Sequence, residues 1–120
     1  MASKNNPGTK AVPLVRRYEI HLVSLDPVTG KEVRKTRPCV VISPEPMHRT
    51  GMAVVCPLTT SLHPQWVHRI QIRCASKAAE IMADQIRAVS LDRFVKQIDI
   101  LPSKDAESLR DLIALLYATP

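Results

Sequence analysis

Apolar and polar residues alternate along most of the chain in short runs bounded by turn-forming residues, a pattern typical of β-strands. This pattern predicts strands over residues 18–25, 38–43, 52–58, 67–74, 80–89 and 96–101. A short turn or helix is expected over residues 90–94. About five to six short strands joined by proline and glycine turns indicate a mainly β protein, either a curled sheet or a small barrel.

The C-terminal segment has a helical period instead. Its apolar residues recur at i, i+3, i+4 and i+7, at Leu109, Leu112, Ile113 and Leu116. Ser103 follows a proline and is predicted to cap this helix, with acidic residues in the first turn where the helix dipole favours them. We therefore expect one amphipathic C-terminal helix that packs its apolar face on the sheet.

The length of 120 residues corresponds to a single domain. Residues 1–14 are polar and are interpreted as a flexible tail, and residues 15–120 as the folded domain. No apolar run approaches the roughly 20 residues of a membrane span, and the start lacks the apolar segment of a secretory signal. Three cysteines lie in apolar segments without a CxxC pair, so we predict buried, reduced thiols in a cytoplasmic protein.

The charge balance favours a polyanionic or acidic partner, since 17 Lys and Arg face 11 Asp and Glu for a net charge of +6. One Trp, one Phe and two Tyr are few for a sheet that stacks successive bases. The glycines form no phosphate-binding loop, and the histidines are dispersed without a metal-ligand spacing. Neither a cofactor nor a metal is predicted.

The segment KTRPCVVISPEP sets an arginine directly before a proline at the entrance of an apolar strand. Proline forces the preceding residue into extended geometry and cannot donate to the ladder, so Arg37 is held at the mouth of the strand. Two interpretations fit: the guanidinium grips a phosphate with two donors, or it solvates the strand end or pairs with a surface acid.

Other polar groups follow the neighbouring strands. Thr59, Thr60 and Ser61 leave the strand that contains Pro57, and hydroxyls at a strand end can hold phosphate oxygens as well as build an ordinary turn. His63 comes next in the same loop. Asp84 and Gln85 interrupt an apolar pattern, which is explained either by a function or by a bulge with a solvent-facing pair.

In combination, RPxxVxSP, then PxTT, then ADQ before an Ile-Arg pair resemble the MazF/PemK family of toxin ribonucleases from type II toxin–antitoxin systems. The resemblance runs from about Tyr18 to the terminal helix. It implies an SH3-like β-barrel with a helix, usually a homodimer. It also implies metal-independent cleavage of single-stranded RNA at short sequence motifs, leaving 2′,3′-cyclic phosphate and 5′-hydroxyl ends. The implied partners are this RNA and an acidic antitoxin. Operator DNA would be contacted only through the complex with the antitoxin.

The resemblance also implies roles for individual residues. Arg37 and Thr59 match the catalytic arginine and threonine, and Glu32 matches a loop glutamate that accepts a proton or contacts RNA. The residues expected to contact RNA are Lys35, Thr60, Ser61, His63, Asp84 and Gln85. Val33 and Lys35 replace a family glutamine and glycine. Met82 stands where some members carry, two residues before the aspartate, an arginine that is part of an acid–base pair, so the proton-transfer roles stay open.

Two other functions fit the same barrel. A gyrase-poisoning toxin of the CcdB type acts through a C-terminal end resembling Trp-Gly-Ile, whereas this chain ends LLYATP, without Trp or Gly. A non-catalytic RNA- or DNA-binding module is the other alternative, because the changes at Val33 and Lys35 alter the loop beside the candidate arginine.

Overall fold

A computed structural model describes residues 14–25 and 35–118 and contains seven strands and one α-helix. The strands are β1 Glu19–Ser24, β2 Thr36–Val41, β3 Met52–Thr59, β4 Arg69–Cys74, β5 Lys77–Met82, β6 Arg87–Ser90 and β7 Phe94–Ile100. The helix, α1, spans Ser103–Tyr117. Short 3-10 segments occupy Glu45–Thr50, Ala83–Gln85 and Leu91–Arg93. Residues 1–13 of the predicted tail, residues 26–34 between the first two strands, and the last two residues lie outside the described residues.

The strands form one curled antiparallel sheet in the order β4-β5-β3-β2-β1-β7. β3 is the longest strand, with 8 residues, and it pairs with three neighbouring strands. Its first half pairs with β6, its last residues pair with β5, and β2 lies along the other side. The predicted mainly β architecture with a C-terminal helix is confirmed.

The core consists of two apolar clusters, one on each face of the central strands. Val40 belongs to the cluster that α1 covers with Leu109 and Leu112. Its neighbours Cys39 and Val41 belong to the opposite cluster. Because successive side chains of a strand point to opposite faces, a strand buried on both sides needs an uninterrupted apolar run. This explains the sequence Cys-Val-Val in β2.

The three cysteines are buried and unpaired, as the sequence predicts. Cys39 lies in β2 and Cys56 in β3, and neither side chain is exposed. Burial raises the pKa of both thiols to about 12, because the apolar surroundings disfavour the thiolate. These thiols therefore act as small apolar core residues.

The predicted fifth strand, residues 80–89, is in fact two strands with a turn between them. Leu58 pairs with Ile81 and Val55 with Arg87, so three residue steps along β3 are matched by six steps on the partner side. The three extra residues form the 3-10 turn Ala83–Gln85. The interpretation of its polar residues as part of a strand was wrong. The described residues form seven strands, compared with the predicted five to six.

Smaller differences concern the ends of elements. β4 begins at Arg69 rather than at residue 67, because residues 64–68 form turns instead of pairing with β5. The predicted cap at Ser103 is wrong. Pro102 occupies the position before the helix, and Ser103 is already the first helical residue, so its hydroxyl is too late in the chain to cap. No helix within residues 14–25 and 35–118 is long and apolar enough to cross a membrane.

Candidate functional site

A groove of about 470 Å³ opens where β2 begins and β3 ends. Its floor is apolar and includes Leu25, Leu58, Ala79 and Ile98. Its polar lining comes from Lys35, Thr36, Arg37, Thr59, Thr60 and Lys77. Three cations and three hydroxyls therefore surround one concave surface, a composition suited to an anionic ligand.

The strand register explains why Arg37 and Thr59 share this groove. Cys39 pairs with Pro57 at the end of the β2–β3 ladder. Arg37 lies two residues before Cys39 and Thr59 two residues after Pro57, so both lie close to this end of the ladder. Arg37 remains paired with Val23 of β1, so its backbone is held on that side while its side chain is exposed.

The groove hydroxyls have hydrogen-bonding capacity left for a ligand. The Oγ1 atom of Thr59 accepts a hydrogen bond from the backbone N–H of Ser61 at 3.1 Å. A hydroxyl that accepts one bond still has its own hydrogen to donate. Thr60 is exposed at the rim. Thr59 can therefore donate to an anionic oxygen without giving up the turn that it stabilises.

A second polar cluster lies on the neighbouring strand pair and is centred on Glu80, whose side chain is fully buried. Gln71 donates to its Oε1 at 2.6 Å, the backbone N–H of His63 donates to the same oxygen at 2.5 Å, and Arg69 donates to Oε2 at 2.6 Å. Burial alone would raise the pKa of Glu80, but these three donors outweigh it and lower the pKa to about 2. Glu80 is therefore an anion whose oxygens are all satisfied.

Arg69 links this carboxylate to a second one. Its Nε atom donates to Oδ1 of Asp84 at 2.8 Å. Asp84 lies in the 3-10 turn Ala83–Gln85, and its side chain is about one third exposed. Partial burial opposes ionisation of Asp84, but the bond from Arg69 prevails and lowers the pKa of the carboxyl group. The cluster thus fixes the turn against β4.

The predicted site residues fall into separate places. Lys35, Arg37, Thr59 and Thr60 line the groove together. His63 and Asp84 belong to the Glu80 cluster, which adjoins the groove because Thr59 and Glu80 are cross-strand partners in β3 and β5. Ser61 and Gln85 are exposed and do not line the groove. Glu32 lies outside the described residues.

Sequence reasoning missed Arg69, Glu80 and the groove residue Lys77. Glu80 had one usable signal, since it is an acidic residue inside the apolar run Ala79–Met82 and needs a buried partner there. Among the described residues, no three His, Cys, Asp or Glu side chains form a group that could hold a metal ion.

Comparison with known proteins identifies the family. A family model described as the PemK-like, MazF-like toxin of type II toxin–antitoxin systems matches residues 16–117. The chain belongs to this family. The match covers every strand and the helix of this MazF-like toxin.

Individual relatives agree with the family model. Endoribonuclease MazF9 of Mycobacterium tuberculosis is 25% identical over 112 residues, which cover 85% of this chain and 95% of that protein. Endoribonuclease PemK of Escherichia coli is 42% identical over 64 residues, 48% of each chain. MazF of Deinococcus radiodurans superposes with a TM-score of 0.73 at 21% identity, over 92% of this chain and 100% of that one. The same protein in a MazE–MazF structure gives a TM-score of 0.75 over the same shares.

One departure of this MazF-like toxin from the family motif has a structural counterpart. Met82 replaces the arginine that some members carry two residues before the aspartate. In the β4–β5 ladder, the cross-strand partner of Met82 is Arg69, the residue that donates to Asp84. A guanidinium group therefore lies beside Asp84 in this chain, and it comes from the neighbouring strand.

Proposed function

We propose that the chain is the toxin endoribonuclease of a type II toxin–antitoxin system and cleaves single-stranded RNA in the groove between β2 and β3. The observation that carries this proposal is that Arg37 and Thr59 line the same concave, cationic groove. Family membership and the relatives named as endoribonucleases support it. The substrate is a polyanion, which suits the net charge of +6.

The reaction is proposed to be an internal transesterification of RNA. The 2′-oxygen forms a bond to the adjacent phosphorus, the bond from phosphorus to the 5′-oxygen breaks, and the products are a 2′,3′-cyclic phosphate and a 5′-hydroxyl. One proton leaves the 2′-hydroxyl and one reaches the departing 5′-oxygen. Because the nucleophile belongs to the substrate, the protein has to align it and to stabilise the charge on phosphorus, without a metal or an external water.

Each groove residue has a distinct part in this proposal. Arg37 presents two donors to the non-bridging phosphate oxygens, and Thr59 adds a hydroxyl donor, so that charge developing in the transition state is stabilised. Lys35 and Thr60 hold neighbouring phosphates and sugars. Glu32 is proposed to accept the 2′-hydroxyl proton, a role that comes from the family resemblance.

The wider biological role follows from the family. An acidic antitoxin is proposed to neutralise the toxin, as the MazE–MazF structures from Deinococcus radiodurans suggest. We further propose that the toxin is a homodimer and acts in the cytoplasm, where cleavage of messenger RNA would stop translation and growth. Operator DNA would be contacted only through the antitoxin complex.

The test is to incubate the pure protein with a long unstructured RNA in EDTA and to map the ends of the products. Discrete cuts with cyclic phosphate and 5′-hydroxyl ends are expected. Arg37→Ala and Thr59→Ala should abolish them. Arg49→Ala, which removes an exposed arginine from the Glu45–Thr50 segment, should cleave normally.

Two results would overturn the proposal. Full cleavage by both groove variants would remove the groove as the active site. A salt-sensitive gel shift without any cutting by the wild-type protein would assign the chain to the non-catalytic binding modules.

A further inference from the structure

The loop between β3 and β4 carries the chain's single tryptophan within a stack of rings. Trp66 lies on His63 with ring centroids 3.7 Å apart and planes 12° from parallel. His68 stacks on Trp66 at 5.3 Å and 29°. The guanidinium carbon of Arg69 lies 4.8 Å from the centre of the Trp66 ring. Trp66 nevertheless stays 43% exposed, so part of this aromatic stack is accessible to solvent.

This stack is fastened to the buried part of the protein. The backbone N–H of His63 donates to Glu80, and the backbone N–H of Trp66 donates to the carbonyl of His63 at 3.0 Å. Arg69 is held by Glu80 and Asp84 together. A surface whose side chains are already fixed loses little conformational entropy when a ligand binds.

The stack is also connected to the groove. The loop that bears it leaves β3 directly after Thr59, and Thr59 is the cross-strand partner of Glu80, which anchors His63. A strand of RNA that passes Thr59 therefore meets residues fixed by the same pair of strands. The charge of Arg69 is compensated by Glu80 and Asp84, so the contact expected here is stacking rather than charge attraction.

We propose that the stack of His63, Trp66 and His68 is a base-binding platform for the RNA substrate. An unpaired base close to the cleaved step would stack on the exposed aromatic surface. The inference rests on the proposed function, because it names a binding subsite for that same substrate. Stacking accepts every base, so the platform contributes affinity rather than sequence preference.

The single tryptophan makes direct observation possible. A labelled 2′-O-methyl RNA oligonucleotide, which lacks the attacking hydroxyl, is titrated into wild-type protein while its anisotropy and the tryptophan fluorescence are recorded. We expect the fluorescence to change and to saturate together with the anisotropy. A full anisotropy change with constant fluorescence would overturn the platform and leave the groove intact. A fluorescence change with an acidic protein partner but not with the oligonucleotide would overturn it too.

Steady-state kinetics give an independent test. Trp66→Ala should raise KM for RNA roughly 5- to 100-fold, the loss of one base stack, with kcat unchanged. Trp66→Phe should restore most of the affinity because it keeps a flat ring. Val67→Ala, a change at an 83% exposed neighbour outside the stack, should behave as wild type.

The outcomes separate the two proposals. Wild-type protein that cuts no RNA refutes the proposed function, whatever the fluorescence shows. Normal cleavage with an unchanged KM in a folded Trp66→Ala variant refutes the platform alone. Circular dichroism checks folding, and if that variant does not fold, the KM of Trp66→Phe and the wild-type fluorescence titration decide.

Discussion

The groove and the Glu80 cluster use charge in opposite ways, although Thr59 and Glu80 are cross-strand partners. In the groove, Arg37 is exposed, and none of the described residues forms an ion pair with its guanidinium group. In the cluster, Glu80 is fully buried and its two oxygens receive three hydrogen bonds. An exposed charge without a partner costs little folding energy and can bind a ligand, whereas a buried charge is tolerated only with partners. The first arrangement is suited to binding an anionic ligand, and the second holds strands and loops in place.

The largest expected effect is on folding, from a change in the cluster. Glu80→Ala leaves Gln71 and the backbone N–H of His63 without their acceptor, while Arg69 keeps Asp84. We expect the free energy of unfolding to fall by about 3 kcal/mol, at the lower end for a broken buried pair. Urea denaturation measures it. Glu107→Ala, on the exposed side of α1, is the matched control and should change stability by less than about 0.5 kcal/mol. Equal losses of unfolding free energy in Glu80→Ala and Glu107→Ala would contradict the difference drawn here between buried and exposed charges.

The next effect is on catalysis, from a change in the groove. Arg37→Lys keeps the charge but replaces the two-donor fork with a point charge. If the fork holds the phosphate, the cleavage rate should fall about 100-fold, the loss of one transition-state donor. The free energy of unfolding should stay within about 0.5 kcal/mol of wild type, because the Arg37 side chain forms no ion pair with any residue in 14–25 or 35–118. Wild-type cleavage by the lysine variant would reduce the role of Arg37 to that of a general cation.

The dependence of stability on pH should follow the cluster. The pKa of Glu80 is about 2 in the folded protein, against an ordinary value of 4.5, because its donors outweigh the cost of burial. A lowered folded-state pKa stabilises above the unfolded pKa, and this stability is lost as the pH falls from about 4.5 towards 2. Denaturation midpoints measured across this range should show a loss that is reduced in Glu80→Gln. An unchanged pH profile in that variant would assign the acid sensitivity to other carboxylates.

The smallest effect concerns long-range charge in the groove. Lys35 lines the groove and is exposed, so Lys35→Ala should remove about one phosphate contact. The slope of log affinity against log salt for single-stranded RNA should then become shallower by about 0.7. Lys104→Ala, at an exposed position that does not line the groove, should leave the slope unchanged. A change of equal size in both variants would mean that only the net charge matters.

Local geometry singled out Arg37 and the hydroxyls after Pro57 as separate features, and only the family resemblance joined them into one candidate site. Proline forces Arg37 into extended conformation, and the apolar run after it defines a strand with a known periodicity. The neighbouring strand that ends in Thr59 has a similar signature. Antiparallel pairing of adjacent strands then brings the two ends together, as the register of Cys39 with Pro57 does. The C-terminal helix was also predicted from a local pattern, the i, i+3, i+4, i+7 spacing of its apolar residues.

The Glu80 cluster was not predictable by the same route. Arg69 and Glu80 are 11 residues apart and Arg69 and Asp84 are 15 apart, and each contact depends on how β4 pairs with β5. A single sequence does not fix such a register when both strands are short. The turn Ala83–Gln85 was missed for a related reason, since it exists only because β5 and β6 pair with different parts of β3. Local patterns define strands, but tertiary pairing defines the polar network between them.

The buried thiols of β2 and β3 can report how often the strands that carry the groove open. Cys39 lies two residues from Arg37, and Cys56 lies three residues from Thr59, on the strands that carry the groove. Because burial raises the pKa of both thiols to about 12, they remain protonated and shielded while the strands stay packed. The rate at which an alkylating reagent modifies these two thiols therefore reports how often the two strands open. The measurement needs no substitution in the protein.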